Sequence, residues 1–130
     1  MNRSRMAVAL TDLLFTPGLE LHEAADRHFA PDHRQRTDGA WDDRDGFLEH
    51  IAHLRTVVAE GSIEVHDELC DGTLYADRHT VHITKNDGST VRMEVYLFGE
   101  LAPDGRFRRI EEITLMLEGS EADRRTGSAR

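Results

Sequence analysis

The chain is predicted to be an α+β protein, helices first and strands after. Three observations carry that prediction. From Leu74 to Leu117 run three long segments rich in Val, Ile, Thr, Tyr and Phe, separated by Lys85-Asn86-Asp87-Gly88 and Ala102-Pro103-Asp104-Gly105. Asp-Gly is a strong hairpin signal between alternating strands. Before residue 60, apolar residues instead recur at helical spacing. The two kinds of segment do not alternate, which argues against a parallel βαβ sheet and for segregated layers.

The elements follow in order. Met6 to Phe15 is a short, almost wholly apolar helix, stopped by Pro17-Gly18. A second helix spans about Leu19 to Phe29, with Leu21, Ala25 and Phe29 on one side. Pro31 ends it. Asp32 to Arg36 reads as a short strand and Thr37-Asp38-Gly39 as a turn. The third helix has the clearest pattern. Asp42 or Asp43 caps its start. Phe47, Ile51, Leu54 and Val58 form one stripe. Gly61 is placed as its C-terminal cap. Ser62 to Leu69 alternates as a strand. Strands at 74–84, 90–101 and 106–117 complete a curved, mostly antiparallel sheet, which the three helices cover on one face. The domain is expected over residues 1–118, and the polar, aperiodic residues 119–130 as a disordered tail.

Composition narrows the function. The chain has 130 residues, enough for one domain with a real core. Lys and Arg total 16 against 25 Asp and Glu, a net charge of -9. Such a balance disfavours nucleic acid as a partner, because phosphate contacts need a basic surface. No apolar run reaches the roughly 20 residues of a membrane span, and no signal peptide is expected. Cys70 is the single cysteine, which rules out an intramolecular disulfide and suits a cytoplasmic location. Glu68 and Asp71 beside it make it a poor nucleophile.

Several segments, in order and spacing, resemble the SnoaL-like branch of the nuclear transport factor 2-like superfamily. They are Phe29-Ala-Pro-Asp-His-Arg-Gln-Arg36, Asp45-Gly-Phe47, Asp71-Gly-Thr-Leu-Tyr-Ala-Asp-Arg78, and Asp104-Gly-Arg-Phe107 with Glu112 downstream. The resemblance implies a cone-shaped α+β barrel with a pocket at its wide end, and a homodimer formed through the sheet. It leaves activity open, since the superfamily holds cyclases, isomerases, dehydratases, epoxide hydrolases and proteins without chemistry. In the limonene epoxide hydrolase branch an acid-arginine-acid set activates water. Arg78 matches the arginine and Glu112 one acid, but Thr80 stands at the other acid position. The set is incomplete, which argues against that hydrolysis. Leu115 stands where many relatives have Asp. Gln35 and Arg36 match a polar pair that faces the cavity in relatives.

Strand parity then nominates a site. Arg78, Thr80 and His82 share a face of their strand, Glu94 and Tyr96 a face of the next, and Glu112 and Thr114 a face of the last. If all are concave, Arg78, His82, Glu94, Tyr96 and Glu112 converge. Glu112 is then the acid or base and Arg78 its electrostatic partner. His82, Glu94, Tyr96 and Thr80 orient a small, largely apolar organic ligand; Trp41 is either a core plug or a wall of the pocket mouth, and the resemblance adds Gln35 and Arg36 as cavity-facing groups. The alternative is a ladder of charges on a wet sheet face. No metal is expected: His50 and His53 lie off the apolar helix stripe, and His79 and His82, three apart on a strand, point opposite ways. No nucleotide fingerprint, phosphate loop or serine elbow is present, so no cofactor is expected.

Overall fold

The structure is a computed structural model that describes residues 4–120 and residue 123. Its elements, in order, are α1 (Arg5–Leu14), α2 (Leu21–His28), β1 (Phe29–Thr37), β2 (Ala40–Asp43), α3 (Arg44–Val57), β3 (Val58–Asp71), β4 (Leu74–Lys85), β5 (Thr90–Leu101) and β6 (Phe107–Glu118). The six strands form one sheet in the order β2-β1-β6-β5-β4-β3. All pairs are antiparallel except β1 with β6. The sheet is open rather than a closed barrel, with β2 and β3 at its edges.

Local chemistry explains the elements. Ser4 Oγ accepts the Ala7 N–H at the start of α1, and Asp43 Oδ1 accepts the Gly46 N–H at the start of α3. Asp38 and Gly39 both have positive φ, 50° and 90°, as a two-residue hairpin turn requires. That turn folds Ala40–Asp43 back on β1 as a strand, an element the sequence pattern did not reveal. Gly61 is not the cap of α3. The helix ends at Val57, and Gly61 lies within β3. A Cβ there would sit 2.4 Å from both His82 O and Phe15 Cε1, so the residue is small because the end of α1 presses on the strand.

The core lies between helices and sheet. Met6, Ala9 and Leu13 of α1 and Phe47, Leu48, Ile51 and Leu54 of α3 pack on the buried face of the sheet. Phe29, Phe47 and Phe107 gather in one aromatic cluster, and Tyr75 meets Phe107 edge-on at 5.2 Å. Fully burying a Phe or Leu of this kind is worth about 1.5–3 kcal/mol. Arg55 of α3 ties down the far end of α1. Its guanidinium donates to the carbonyls of Leu13 (2.6 Å) and Asp12 (3.2 Å), which the end of α1 leaves without helical partners, and to that of Leu19 (3.0 Å) in the following connection.

Most of the expected disordered tail lies outside the described residues. Asp123 is described, and its carboxylate accepts from Lys85 Nζ at 2.8 Å. No described helix is long and apolar enough to cross a membrane.

Candidate functional site

The inward face of the sheet is set by alternation in β5. Val91, Met93, Val95, Leu97 and Leu101 are buried, and Arg92, Tyr96 and Phe98 are exposed. Register then carries this face across the sheet. Leu97 pairs with Asp77 on one side and Glu112 on the other, and Val95 pairs with His79 and Thr114. Tyr75, Asp77, His79, Val81 and Ile83 are therefore the inward residues of β4.

Glu112 does face inward, as expected, and so does Gln35. Arg78, Thr80, His82, Glu94 and Tyr96 do not share their face. Arg78 pairs with Tyr96, and Tyr96 with Ile113, all on the outer side. Arg78 bonds Asp67 at 3.1 Å and lies 3.8 Å from Glu94. His82 meets Glu64 at 3.1 Å, and Thr80 is covered by His66 at 2.7 Å. Arg36 also points outward, 4.0 Å from Glu111. Trp41 is exposed in β2, with the Arg34 guanidinium 4.8 Å above its ring. The expected convergence of Arg78, His82, Glu94 and Tyr96 on Glu112 is thus corrected. Both parities of β4 carry apolar and polar residues, so that strand alone does not declare its inner face.

A cavity of about 80 Å³ lies between α1, α3 and the sheet. Leu10 and Leu14 of α1 and Phe47, Ile51 and Leu54 of α3 form its apolar roof. Val81, Met93 and Val95 line its floor, with His79, Glu112, Gln35, Thr114 and His50 as polar groups. Glu112 is the acid of this cavity. Burial, then the negative charges of Asp38 and Asp77, push its carboxyl up to about 8. It is thus protonated over much of the neutral range. Gln35 Nε2 donates to Glu112 Oε1 at 2.9 Å, and His33 Nε2 bonds Gln35 Oε1 at 3.2 Å. His33 is buried and its pKa falls to about 4, chiefly through desolvation, so its ring is neutral.

Opposite Glu112 stands His79, whose spacing to His82 had argued only against a metal site. His79 is 2% exposed, and its Nδ1 lies 2.8 Å from Asp77 Oδ1, whose side chain is fully buried. A carboxylate only accepts, so Nδ1 carries the proton and Nε2 is the acceptor of the neutral ring. Asp77 and Glu112 sit two strands apart, about 10 Å at ordinary strand spacing. The signal was present as Asp77-x-His79, which places both side chains on one strand face. A cavity with a protonated carboxyl on one wall and a carboxylate-held imidazole on the other can give a proton and take one. Among the described residues, no group of three or more His, Cys, Asp or Glu side chains has the arrangement of a metal site.

Three helices laid on one face of an open, six-stranded mixed sheet, with polar groups in an apolar cavity between them, define the nuclear transport factor 2-like class. Within that class the chain belongs to the SnoaL-like domain family, which its residues 20–110 match. It is 37% identical over 100 residues to the uncharacterized protein C11D3.04c of Schizosaccharomyces pombe, covering 77% of this chain and 76% of that one. Among solved structures it is similar to AclR of Streptomyces galilaeus, a candidate hydroxylase, with TM-score 0.68 and 16% identity over 97% of this chain and 86% of that one. It is also similar to wild-type IdmH of Streptomyces antibioticus, a candidate polyketide cyclase, with TM-score 0.61, 20% identity, and 72% and 79% coverage. These likenesses establish the fold.

Proposed function

We propose that the cavity binds a small, largely apolar organic molecule and moves a proton on it without a cofactor. Glu112 is the acid and Nε2 of His79 the base, with the roles exchanged in the reverse direction. The observation that carries this reading is the Glu112 carboxyl held near 8 in an apolar cavity that it shares with His79. A general acid or base works best with a pKa near the working pH. Isomerisation and cyclisation through an enol fit such a pair, as does dehydration. Gln35 orients the acid and Asp77 the base. The polyketide cyclase and hydroxylase descriptions of the two structural neighbours keep the reading within small-molecule chemistry.

The test is deuterium uptake at the α-carbon of small cyclic ketones in D2O, followed by proton NMR. Glu112→Gln and His79→Asn each lower the protein-dependent rate on the order of 10²-fold or more, the usual worth of a positioned acid or base. Unchanged rates in both variants, or no uptake above buffer with any ketone tried, would reject it.

A second reading, a dimerisation module, is favoured by the outer sheet face. Tyr96 (51% exposed), Phe98 (49%), Ile113 (58%) and Leu115 (55%) form a connected apolar patch across β5 and β6. Arg78 with Glu94 and Arg36 with Glu111 put both signs of charge on that face, as a self-complementary homodimer needs. The two readings are compatible, since they use opposite faces of the sheet.

A further inference from the structure

Behind His79 a line of polar groups runs out of the cavity to the sheet edge. Asp77 Oδ1 holds His79, and Asp77 Oδ2 lies 3.1 Å from the Tyr75 hydroxyl. The same hydroxyl donates to Glu68 Oε2 at 2.5 Å. Glu68 pairs with Asp77 across β3 and β4, so the two carboxylates flank one phenol on the inner face. Tyr75 and Asp77 are buried, whereas Glu68 is exposed and also takes the backbone N–H of Arg5 at 3.1 Å. Burial and the neighbouring carboxylates push the Tyr75 hydroxyl upward in pKa, so it remains a donor.

A phenol has a single proton and two carboxylates here to give it to. From these contacts we infer that Tyr75 and Glu68 are positioning residues for His79, the surface carboxylate setting through the tyrosine how much negative charge Asp77 presents to the imidazole. With Glu68 ionised, the hydroxyl is divided between the two carboxylates, closer to Glu68, and Asp77 keeps most of its charge for His79. With Glu68 neutral, the hydroxyl turns to Asp77 and weakens that support. The inference rests on the acid–base reading for its use, but not for its measurement. Other titratable groups face the same cavity: Glu112 from β6 and His50 from α3, with His33 of β1 behind Gln35. From α1 come Leu10 and Leu14.

The test is the titration of His79 followed by NMR of 13C-labelled histidine in the ligand-free protein, the resonance being assigned with His79→Gln. Tyr75→Phe removes the donor to Asp77, so the His79 midpoint rises by about half a pH unit or more, whereas Glu68→Gln lowers it by a similar amount. In the double variant the effect of Glu68→Gln shrinks to less than about half, because its path is gone. Asp67→Asn, on the outer face and joined to Arg78 instead, controls for the field of one nearby charge and moves the midpoint less than Glu68→Gln. An unmoved midpoint in Tyr75→Phe overturns the inference. So does an equal effect of Glu68→Gln in both backgrounds, or of Asp67→Asn and Glu68→Gln. Should Tyr75→Phe not fold, the contrast between the last two decides alone. No ketone is present in these titrations. A failure of the acid–base reading therefore leaves their outcome standing, and the reverse also holds.

Discussion

The amide of Gln35 donates to the carboxyl of Glu112 across the single parallel strand pair of the sheet, at 2.9 Å. The contact fixes one carboxyl oxygen of a residue that lines the cavity. It also places an uncharged donor, rather than an arginine, beside a carboxyl in an apolar site. That choice keeps the acid protonated near neutrality.

The first prediction follows from the sign of that shift. The carboxyl sits at about 8 folded and near the ordinary glutamate value of 4.5 unfolded. Stability from the protonated form is fully present below about 4.5, declines as pH rises, and is lost once pH passes the folded value. Wild type should thus lose stability between pH 5 and 8 relative to Glu112→Gln, on the order of a few kcal/mol. Urea melts of both proteins at pH 5, 7 and 9 check this. A difference constant with pH would contradict it.

Arg78 and Glu112 should not be coupled. They occupy opposite faces of the sheet, and Arg78 serves an exposed pair with Asp67. Arg78→Ala should leave stability nearly unchanged, as for other surface ion pairs. A double-mutant cycle with Glu112→Ala should give a coupling energy near zero. A coupling well above 1 kcal/mol would require a geometry other than this one.

Arg55 should matter far more than an arginine on a helix flank usually does. Arg55→Met keeps the aliphatic stem but strands three carbonyls at the end of α1 and just beyond it. The expected loss is about 2–4 kcal/mol, from charged hydrogen bonds that go unmade. Denaturant melts give the number. Faster hydrogen exchange confined to α1 would show that the roof of the cavity opens first.

Ile113→Lys and Leu115→Lys should each weaken self-association, if the outer face is the dimer surface, without disturbing the cavity. Sedimentation equilibrium at micromolar concentration reads this. A wild-type protein that sediments as a monomer would remove the premise.

The helix order, the antiparallel hairpins and the inward place of Glu112 were legible in the sequence, and that of Gln35 came through the family resemblance, which also implied it for Arg36, a residue that points outward. Phe47, Ile51 and Leu54 announced α3, and Ile110, Glu112 and Met116 announced the inner face of β6. The face of β4 was not legible. Tyr75, Val81 and Ile83 argue for one parity, Leu74 and Ala76 for the other, and polar groups interrupt both. What decides is that Leu97 faces Asp77 and Glu112 together, which is a fact of register. Register is fixed by contacts distant in sequence. The strand β2 escaped notice for a related reason: Ala40–Asp43 is too short to show a period, and its pairing follows from the two-residue turn before it.

Gln35 and Glu112 stand 77 residues apart, and β6 is the last strand of the sheet. During synthesis the helices and the β3-β4-β5 meander can leave the ribosome and begin to pack while the slot between β1 and β5 is still empty. The cavity wall that carries Glu112 is completed only when β6 inserts there, closing a long loop. Until then a growing chain exposes two unpaired strand edges beside the unfinished cavity, so the protein's most aggregation-prone moment and the completion of its cavity coincide.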